Sequence, residues 1–116
     1  MAAIIEYKRK LKQGDFGDLF QISFDEDPPE FAFDDVAVAT FHAKSEDGLL
    51  KFSGSCILDS PTKTALYTTV SGSIEIVATY KFEFEFKDNA IAPTFTQTYP
   101  KDREITFDVV EQYDWF

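Results

Sequence analysis

The sequence predicts an all-β protein: one antiparallel β-sandwich domain, spanning residues 1–116, with about seven or eight strands. Two observations support this prediction. Residues 80–87 alternate strictly between aromatic and charged side chains, which is the period of a strand and not that of a helix. Short apolar segments also recur about every ten residues between turn-forming residues, as is typical of a sandwich.

The first half of the chain contains four predicted strands. Residues 5–11 alternate apolar and charged side chains, and residues 19–24 place three apolar side chains on one face. Residues 36–43 are largely apolar on both faces, so this strand is expected to be covered on both sides. Residues 50–58 follow a hairpin turn, and Gly54 suggests a β-bulge within them.

The second half continues the pattern. Residues 64–70, 91–99 and 104–111 are strand-like segments separated by turn residues. Residues 74–77 fit either a short strand or one turn of helix. Neither a low-complexity tract nor a linker interrupts the chain, so we expect a single domain.

The alternating strand at residues 80–87 gives the sharpest prediction of burial. Phe82, Phe84 and Phe86 share one face and are expected to lie in the core, while Glu83 and Glu85 face solvent or a polar contact. The chain has material for such a core, because 44% of its residues are hydrophobic and 13 are Phe.

Charge and composition exclude several classes of function. The formal net charge is −10, from 21 acidic and 11 basic side chains. Such a field repels phosphate groups and anionic lipids, so neither nucleic acid nor membrane is an expected partner. No apolar segment approaches the ~18 residues that a membrane span needs. The lone Cys56 excludes an intramolecular disulfide and favours synthesis in a reducing cytoplasm.

Residues suited to catalysis are scarce. His42 is the only histidine, and Cys56, the only cysteine, has no nucleophile motif around it. A core thiol near a strand histidine accounts for both residues without catalysis. Glycine-rich phosphate loops, zinc-ligand spacings and nucleotide fingerprints are also missing from the sequence. We therefore expect no enzymatic activity, no cofactor, and no catalytic, cofactor-binding or metal-binding residues.

One acidic segment is a candidate calcium site. Calcium takes about six to eight oxygen ligands, which clustered carboxylates on a loop can supply. The spacing of an EF-hand is absent, however, and two prolines stiffen the segment, so we favour a solvated loop and leave calcium binding open. The carboxylates concerned are Asp25, Glu26, Asp27, Glu30, Asp34 and Asp35.

Aromatic residues provide two further candidate surfaces. Tyr67, Tyr99, Tyr113 and Trp115 could form a sugar-binding platform, although packing in a core or interface is the favoured use of each. Three aromatics close together at the chain end, Tyr113, Trp115 and Phe116, are expected to cover a sandwich edge or to contact a neighbouring subunit.

A basic stretch near the start of the chain is the other predicted interface. Lys8 and Lys10, together with Arg9 and Lys12, place positive charge on the first predicted strand. Contact between this stretch and the acidic loop at residues 25–35 of a second copy would reduce the mutual repulsion of two chains of net charge −10. The interface candidates are therefore Tyr113, Trp115, Phe116, Lys8 and Lys10.

Several short motifs occur in a defined order over residues 8–111. They are Gln13-Gly14-Asp15, Leu19 to Phe24, Val38 to Ala43, Asp47-Gly48, Gly72, Thr79-Tyr80, Phe82 to Phe86, Asp88-Asn89, Tyr99-Pro100 and Glu104 to Val110. This order resembles the N-terminal domain of upper baseplate proteins from siphophages of Gram-positive bacteria. Each motif by itself is common in β proteins, so the resemblance depends on their order and spacing.

The resemblance implies an immunoglobulin-like antiparallel sandwich that assembles with other tail or baseplate subunits and has no enzymatic activity. It also implies a homo-oligomer located in the virion tail after synthesis in the host cytoplasm. Family members usually continue into a helical stalk, so we expect either a truncated chain or a stand-alone relative. The alternative function is a carbohydrate-binding module for cell-surface glycans, because fold alone does not separate the two.

Overall fold

Two β-sheets pack face to face in this computed structural model, which describes residues 3–111. The smaller sheet has the strand order β1 (Ala3–Tyr7), β3 (Leu19–Phe24), β7 (Thr64–Thr68) and β6 (Ile57–Asp59). The larger sheet has the order β2 (Lys10–Lys12), β10 (Ile105–Val110), β8 (Ala78–Lys87), β4 (Val38–Ser45) and β5 (Lys51–Ser55), and β9 (Thr96–Tyr99) also pairs with β8. A short 3-10 helix, Phe33–Asp35, precedes β4.

These strand orders confirm the predicted immunoglobulin-like sandwich. Immunoglobulin domains place strands A, B, E and D in one sheet and strands C, F and G in the other, with an added C′ strand in the variable type. Here β1-β3-β7-β6 corresponds to the first sheet, and β10-β8-β4-β5 corresponds to the second. The pairs are antiparallel except β2 with β10, which run parallel. None of the helices within residues 3–111 is long and apolar enough to cross a membrane.

The predicted number of strands was too low, because two predicted strands divide between the sheets. Residues 5–11 form β1 in the smaller sheet and β2 in the larger, with Lys8 and Arg9 between them. Residues 50–58 likewise form β5 and β6, and Cys56 between them donates its N–H to the Ala39 carbonyl at 2.8 Å. Alternation continues across both crossings, so the sequence pattern alone did not reveal them.

Gly54 is not the predicted bulge. It pairs directly with Phe41 in a regular register. A Cβ at this position would clash with the ring of Tyr67, which stacks on Phe41 with 4.4 Å between ring centroids. Glycine is needed here because an aromatic ring lies against the backbone of the strand.

Three other expectations for individual segments need correction. β4 is not covered on both faces: Ala39, Phe41 and Ala43 are buried, but the opposite face, with Thr40 and His42, is half-exposed. Residues 74–77 are neither strand nor helix but part of an irregular loop. Residues 91–99 form a strand only from Thr96 onward, because the preceding residues form a loop that the Asp88 carboxylate organises by accepting the Thr94 N–H at 2.8 Å.

The alternating strand, now β8, has the burial that its pattern predicts. Phe82, Phe84 and Phe86 are each 4% exposed or less, while Glu83 is exposed and Glu85 is half-buried. Large aromatic side chains on one face of a central strand bury much apolar area, and paired rings add about 0.5–1.5 kcal/mol per contact. This strand therefore anchors the sandwich.

A phenylalanine trio occupies the place of the central disulfide of antibody domains. In those domains a disulfide joins strands B and F, and a tryptophan of strand C packs on it. In the corresponding strands β3, β8 and β4, the rings of Phe20, Phe82 and Phe41 meet, with centroid distances of 5.0 Å for Phe20–Phe82 and 4.7 Å for Phe20–Phe41. Apolar ring contacts thus join the two sheets where antibodies use a covalent bond.

Tyr80 is a second feature in which this fold matches immunoglobulin domains. In immunoglobulin domains a tyrosine near the start of strand F donates a hydrogen bond to the backbone a few residues upstream. Tyr80 is buried near the start of β8, and its hydroxyl donates to the Ile76 carbonyl at 3.3 Å. This bond joins the loop before β8 to the sheet.

Candidate functional site

Three of the predicted interface residues, Tyr113, Trp115 and Phe116, lie outside the described residues. The other two do not share one strand. Lys8 lies in the crossing between the sheets, with its Nζ 3.4 Å from Asp18 Oδ1, whereas Lys10 is exposed on β2. The basic stretch therefore follows the seam where the chain changes sheets.

One end of the sandwich carries a concentration of exposed apolar side chains. The loop at residues 13–18 and the loop at residues 69–77 hydrogen-bond to each other, through Gly17 N–H to Thr69 O at 2.9 Å and Gly14 N–H to Ile74 O at 2.6 Å. On or beside these loops, five large apolar side chains are between 47% and 65% exposed. We call this set the apolar end; its residues are Phe16, Leu19, Val70, Ile76 and Val77.

β10, the last described strand, ends beside the two loops that carry the apolar end. Gln13 donates its backbone N–H to the Val110 carbonyl at 2.9 Å, and its side-chain amide donates to the Glu75 carbonyl at 2.9 Å. The end of β10 is therefore joined to both loops that carry the apolar end.

A groove lies on the outer face of the larger sheet. β8 pairs with β10 through Phe82 and with β9 from Phe84 onward, so no strand residue lies opposite Glu83 on that edge. Residues 100–104 instead leave the sheet as a loop. Between this loop and the outer faces of β8, β4 and β5 is a groove of about 600 Å³. The charged residues that line the groove include His42, Lys44, Lys51, Lys81, Glu83 and Arg103.

Some charges around the groove are paired. Lys81 Nζ lies 3.0 Å from Glu104 Oε2. Glu85 Oε1 lies 3.2 Å from His42 Nε2 and 3.6 Å from Lys87 Nζ. The lysines of β4 and β5 are different: within residues 3–111 the ammonium groups of Lys44 and Lys51 have no hydrogen-bonding or ion-pair partner.

The structure does not bring His42 and Cys56 together as a nucleophile and its base. The register places Ser53 opposite His42, and the imidazole is directed to Glu85. Burial raises the pKa of the Cys56 thiol to about 12, which keeps it in the unreactive protonated form at neutral pH.

The acidic segment is anchored rather than wholly solvated. Phe31 and Phe33 insert into the core, Asp27 Oδ1 accepts the Phe33 N–H at 3.0 Å, and Glu30 accepts a hydrogen bond from the Tyr99 hydroxyl. Across residues 3–111, no three His, Cys, Asp or Glu side chains converge as a metal site would require. The spacing of Phe31 and Phe33, two residues apart, was the sequence signal for this anchoring.

Two members of the suggested sugar platform are part of the core. Tyr67 and Tyr99 are buried, and their burial raises the pKa of both phenol groups. Neither ring presents a face to a ligand, and the other two members, Tyr113 and Trp115, lie beyond residue 111.

No protein-family model matches this chain, and searches among curated proteins and among solved structures found no match. The fold class therefore rests on the strand order described above. Since one sandwich fold serves many functions, the function has to be inferred from the surfaces of this particular chain.

The groove and the apolar end were not identified from the sequence. The outward position of Lys44 and Lys81 follows from strand alternation, but their alignment with Lys51 depends on the pairing register. The apolar end depends on two loops that are more than fifty residues apart in the chain, as in the bond from Asp18 N–H to Thr69 Oγ1. Neither arrangement leaves a local motif.

Proposed function

We propose that this protein is a non-enzymatic structural module that acts through protein–protein contacts, as a subunit of a phage tail or baseplate. The observation that carries the assembly function is the apolar end. Five large apolar side chains remain about half exposed on or beside two loops that are fixed to each other by hydrogen bonds. Groups of exposed apolar residues on soluble domains typically mark contact surfaces.

The end of β10 and the sequence that follows it support the same surface. β10 ends at the apolar end, and Tyr113, Trp115 and Phe116 follow Val110 within a few residues. Tyr and Trp are enriched among the residues that contribute most to protein interfaces. Together with the apolar end they would supply the desolvated centre that a chain of net charge −10 needs for association.

The tail or baseplate role rests on the resemblance in motif order. The sheet order agrees with the immunoglobulin-like fold that the resemblance implies. A domain of this kind works by fitting into a larger assembly, and it requires no convergent catalytic groups.

The test compares variants of the apolar end with a matched surface variant. Phe16→Ser combined with Ile76→Ser should weaken assembly, measured by sedimentation velocity over a range of concentrations. Ile91→Ser is the control, because Ile91 is 94% exposed but lies on the loop between β8 and β9. Deleting residues 113–116 should also weaken assembly and leave the far-ultraviolet β signal unchanged. A monomer at every concentration that no tail protein captures would show that the proposal is wrong.

A further inference from the structure

The groove on the larger sheet has a charge balance unlike that of the whole chain. It is lined by four of the 11 basic residues but by only three of the 21 acidic residues. In a protein with a net charge of −10, this is a local region of positive charge. An acidic ligand is therefore attracted to the groove more than to the average surface of the protein.

Three lysines form a row across the floor of the groove. Lys51 pairs directly with Lys44, and Lys44 pairs directly with Lys81, so like charges lie opposite each other on three adjacent strands. Neighbouring strands are only about 4.8 Å apart, and like charges placed directly opposite destabilise a sheet. Glu104 offsets the charge of Lys81, but within residues 3–111 no carboxylate offsets those of Lys44 and Lys51.

The loop at residues 100–104 gives this row a wall. This loop leaves the sheet at Glu83, which has no partner on β9 or β10. It forms a large bulge between β9 and β10, which both pair with the same edge of β8. Bulges often redirect side chains beside a binding site. Here the loop adds Arg103 and Glu104 to the lining of the groove. The lysine row therefore lies in a concave site and not on an open sheet face.

The chain itself carries an acidic segment of complementary charge. Residues 25–35 contain six carboxylates, of which two are held by the fold: Asp27 accepts the Phe33 N–H and Glu30 accepts the Tyr99 hydroxyl. The other four are exposed and have no side-chain partner within residues 3–111. They are Asp25, Glu26, Asp34 and Asp35.

We propose that the groove docks an acidic polypeptide segment, and that its occupant is the segment at residues 25–35 of a second copy of this chain. The unpaired ammonium groups of Lys44 and Lys51 receive the unpaired carboxylates of that segment. The contact joins two different surfaces, so it builds either a reciprocal dimer, in which each copy fills the groove of the other, or a ring or filament. The two aromatic residues at the groove, Phe52 and Phe82, pack into the core, which leaves no ring to stack on a sugar.

A charge swap tests this contact directly. The first variant reverses the charge of the groove (Lys44→Glu with Lys51→Glu). The second reverses the charge of the segment by changing its four unpaired carboxylates (Asp25→Lys, Glu26→Lys, Asp34→Lys and Asp35→Lys). Each variant alone places like charges in contact and should associate at least about tenfold more weakly than the natural chain, as judged by sedimentation velocity at low salt. An equimolar mixture of the two should assemble again, because every groove then meets a segment of opposite charge.

The control reverses two basic residues that lie neither in the lining of the groove nor in the basic stretch at residues 8–12, Lys63→Glu with Lys87→Glu. It changes the net charge as much as the groove variant does. Its association should stay close to that of the natural chain. Added salt should weaken association of the natural chain and of the mixture alike. Far-ultraviolet circular dichroism checks that each variant is folded.

Three results would overturn the proposal: a mixture that stays dissociated, a control as weak as the groove variant, or a natural chain that is monomeric at all concentrations. Binding of a polyglutamate peptide or of an anionic glycan by a chain that never self-associates would also exclude the second copy as occupant. The contact is independent of the apolar end, because the paired variants leave Phe16 and Ile76 unchanged. Failure of this inference is therefore distinguishable from failure of the assembly proposal.

Discussion

Strand β8 presents two different surfaces on alternate residues. Its inner face carries Phe82, Phe84 and Phe86, which are almost completely buried, while its outer face carries Lys81 and Glu83 at the floor of the groove. The two faces share one backbone and one set of hydrogen bonds. Their difference shows that the core is built from one face, so the side chains of the other face are available for surface contacts.

The two faces also differ in the kind of contact that their side chains make. On the inner face each ring contacts several others; Phe86, for example, lies 5.8 Å from Phe24 and 6.0 Å from Tyr99 between centroids. On the outer face the contacts are separate ion pairs, such as Lys81 with Glu104, and exposed pairs of this kind contribute about 0–1 kcal/mol. Substitutions on the inner face should therefore change stability, and those on the outer face should change binding.

The largest loss of stability is expected at the inner face of β8. Phe84→Ala removes a fully buried ring that contacts Phe41, and should lower the free energy of unfolding by about 3–5 kcal/mol. Glu83→Gln, on the adjacent outward position, should change it by less than about 0.5 kcal/mol. Urea denaturation of both variants measures the contrast. Equal losses would mean that the faces of β8 are assigned wrongly.

A smaller loss of stability is expected at Gly54, where the inner face of β5 has no side chain. Gly54→Ala introduces a methyl group against the buried ring of Tyr67 and should cost about 1–3 kcal/mol, the usual range for overpacking. Ser53→Ala changes the exposed neighbour on the outer face of β5 and serves as the matched control. If both variants unfold at the same urea concentration, the ring does not restrict this position.

A pH-dependent change in stability is expected at the turn between β4 and β5. This turn connects two of the strands that form the groove. Asp47 accepts a hydrogen bond from the Ser45 hydroxyl and another from the Leu49 N–H at 3.0 Å, and these bonds lower its pKa below the ordinary 3.8. A lowered carboxyl pKa stabilises the fold above the ordinary value, and this stabilisation is lost as the pH falls through the lowered one. Asp47→Ala should therefore be less stable than the natural chain at neutral pH.

The pH dependence distinguishes this effect from a simple loss of packing. The difference in stability between Asp47→Ala and the natural chain should shrink as the pH falls below 3.8, followed by urea denaturation at a series of pH values. A difference that is the same at all pH values would mean that the charge of Asp47 has no role in the turn.

The smallest change in stability is expected on the outer face of the larger sheet, and it is a gain instead of a loss. Lys44→Gln removes a charge that lies between Lys51 and Lys81, and should stabilise the isolated chain by about 0.2–1 kcal/mol. The same change should weaken association if the groove binds an acidic segment. Lys63→Gln is a control outside the lysine row. A loss of stability in Lys44→Gln would show that the row is not under electrostatic strain.

Much of the fold could be predicted because strand alternation is a local property. The burial of Phe82, Phe84 and Phe86 follows from spacing alone, and so does the apolar face of β3. The crossings at Lys8 and Cys56 could not be predicted, since alternation has the same period whichever sheet a strand joins. The expected cover on the second face of β4 is wrong for a related reason: valine and threonine on a face do not show whether another layer covers it.

The sequence by itself determined the class of fold, the buried face of the central strand, and the net charge of −10. The tertiary structure alone decided which charged residues meet. Lys44, Lys51 and Lys81 become neighbours only through the pairing of three strands, and the loops of the apolar end only through hydrogen bonds between distant segments. The physical reason is one of range: the side to which a residue points is set within its own strand, whereas a surface is assembled from strands that pair across the chain.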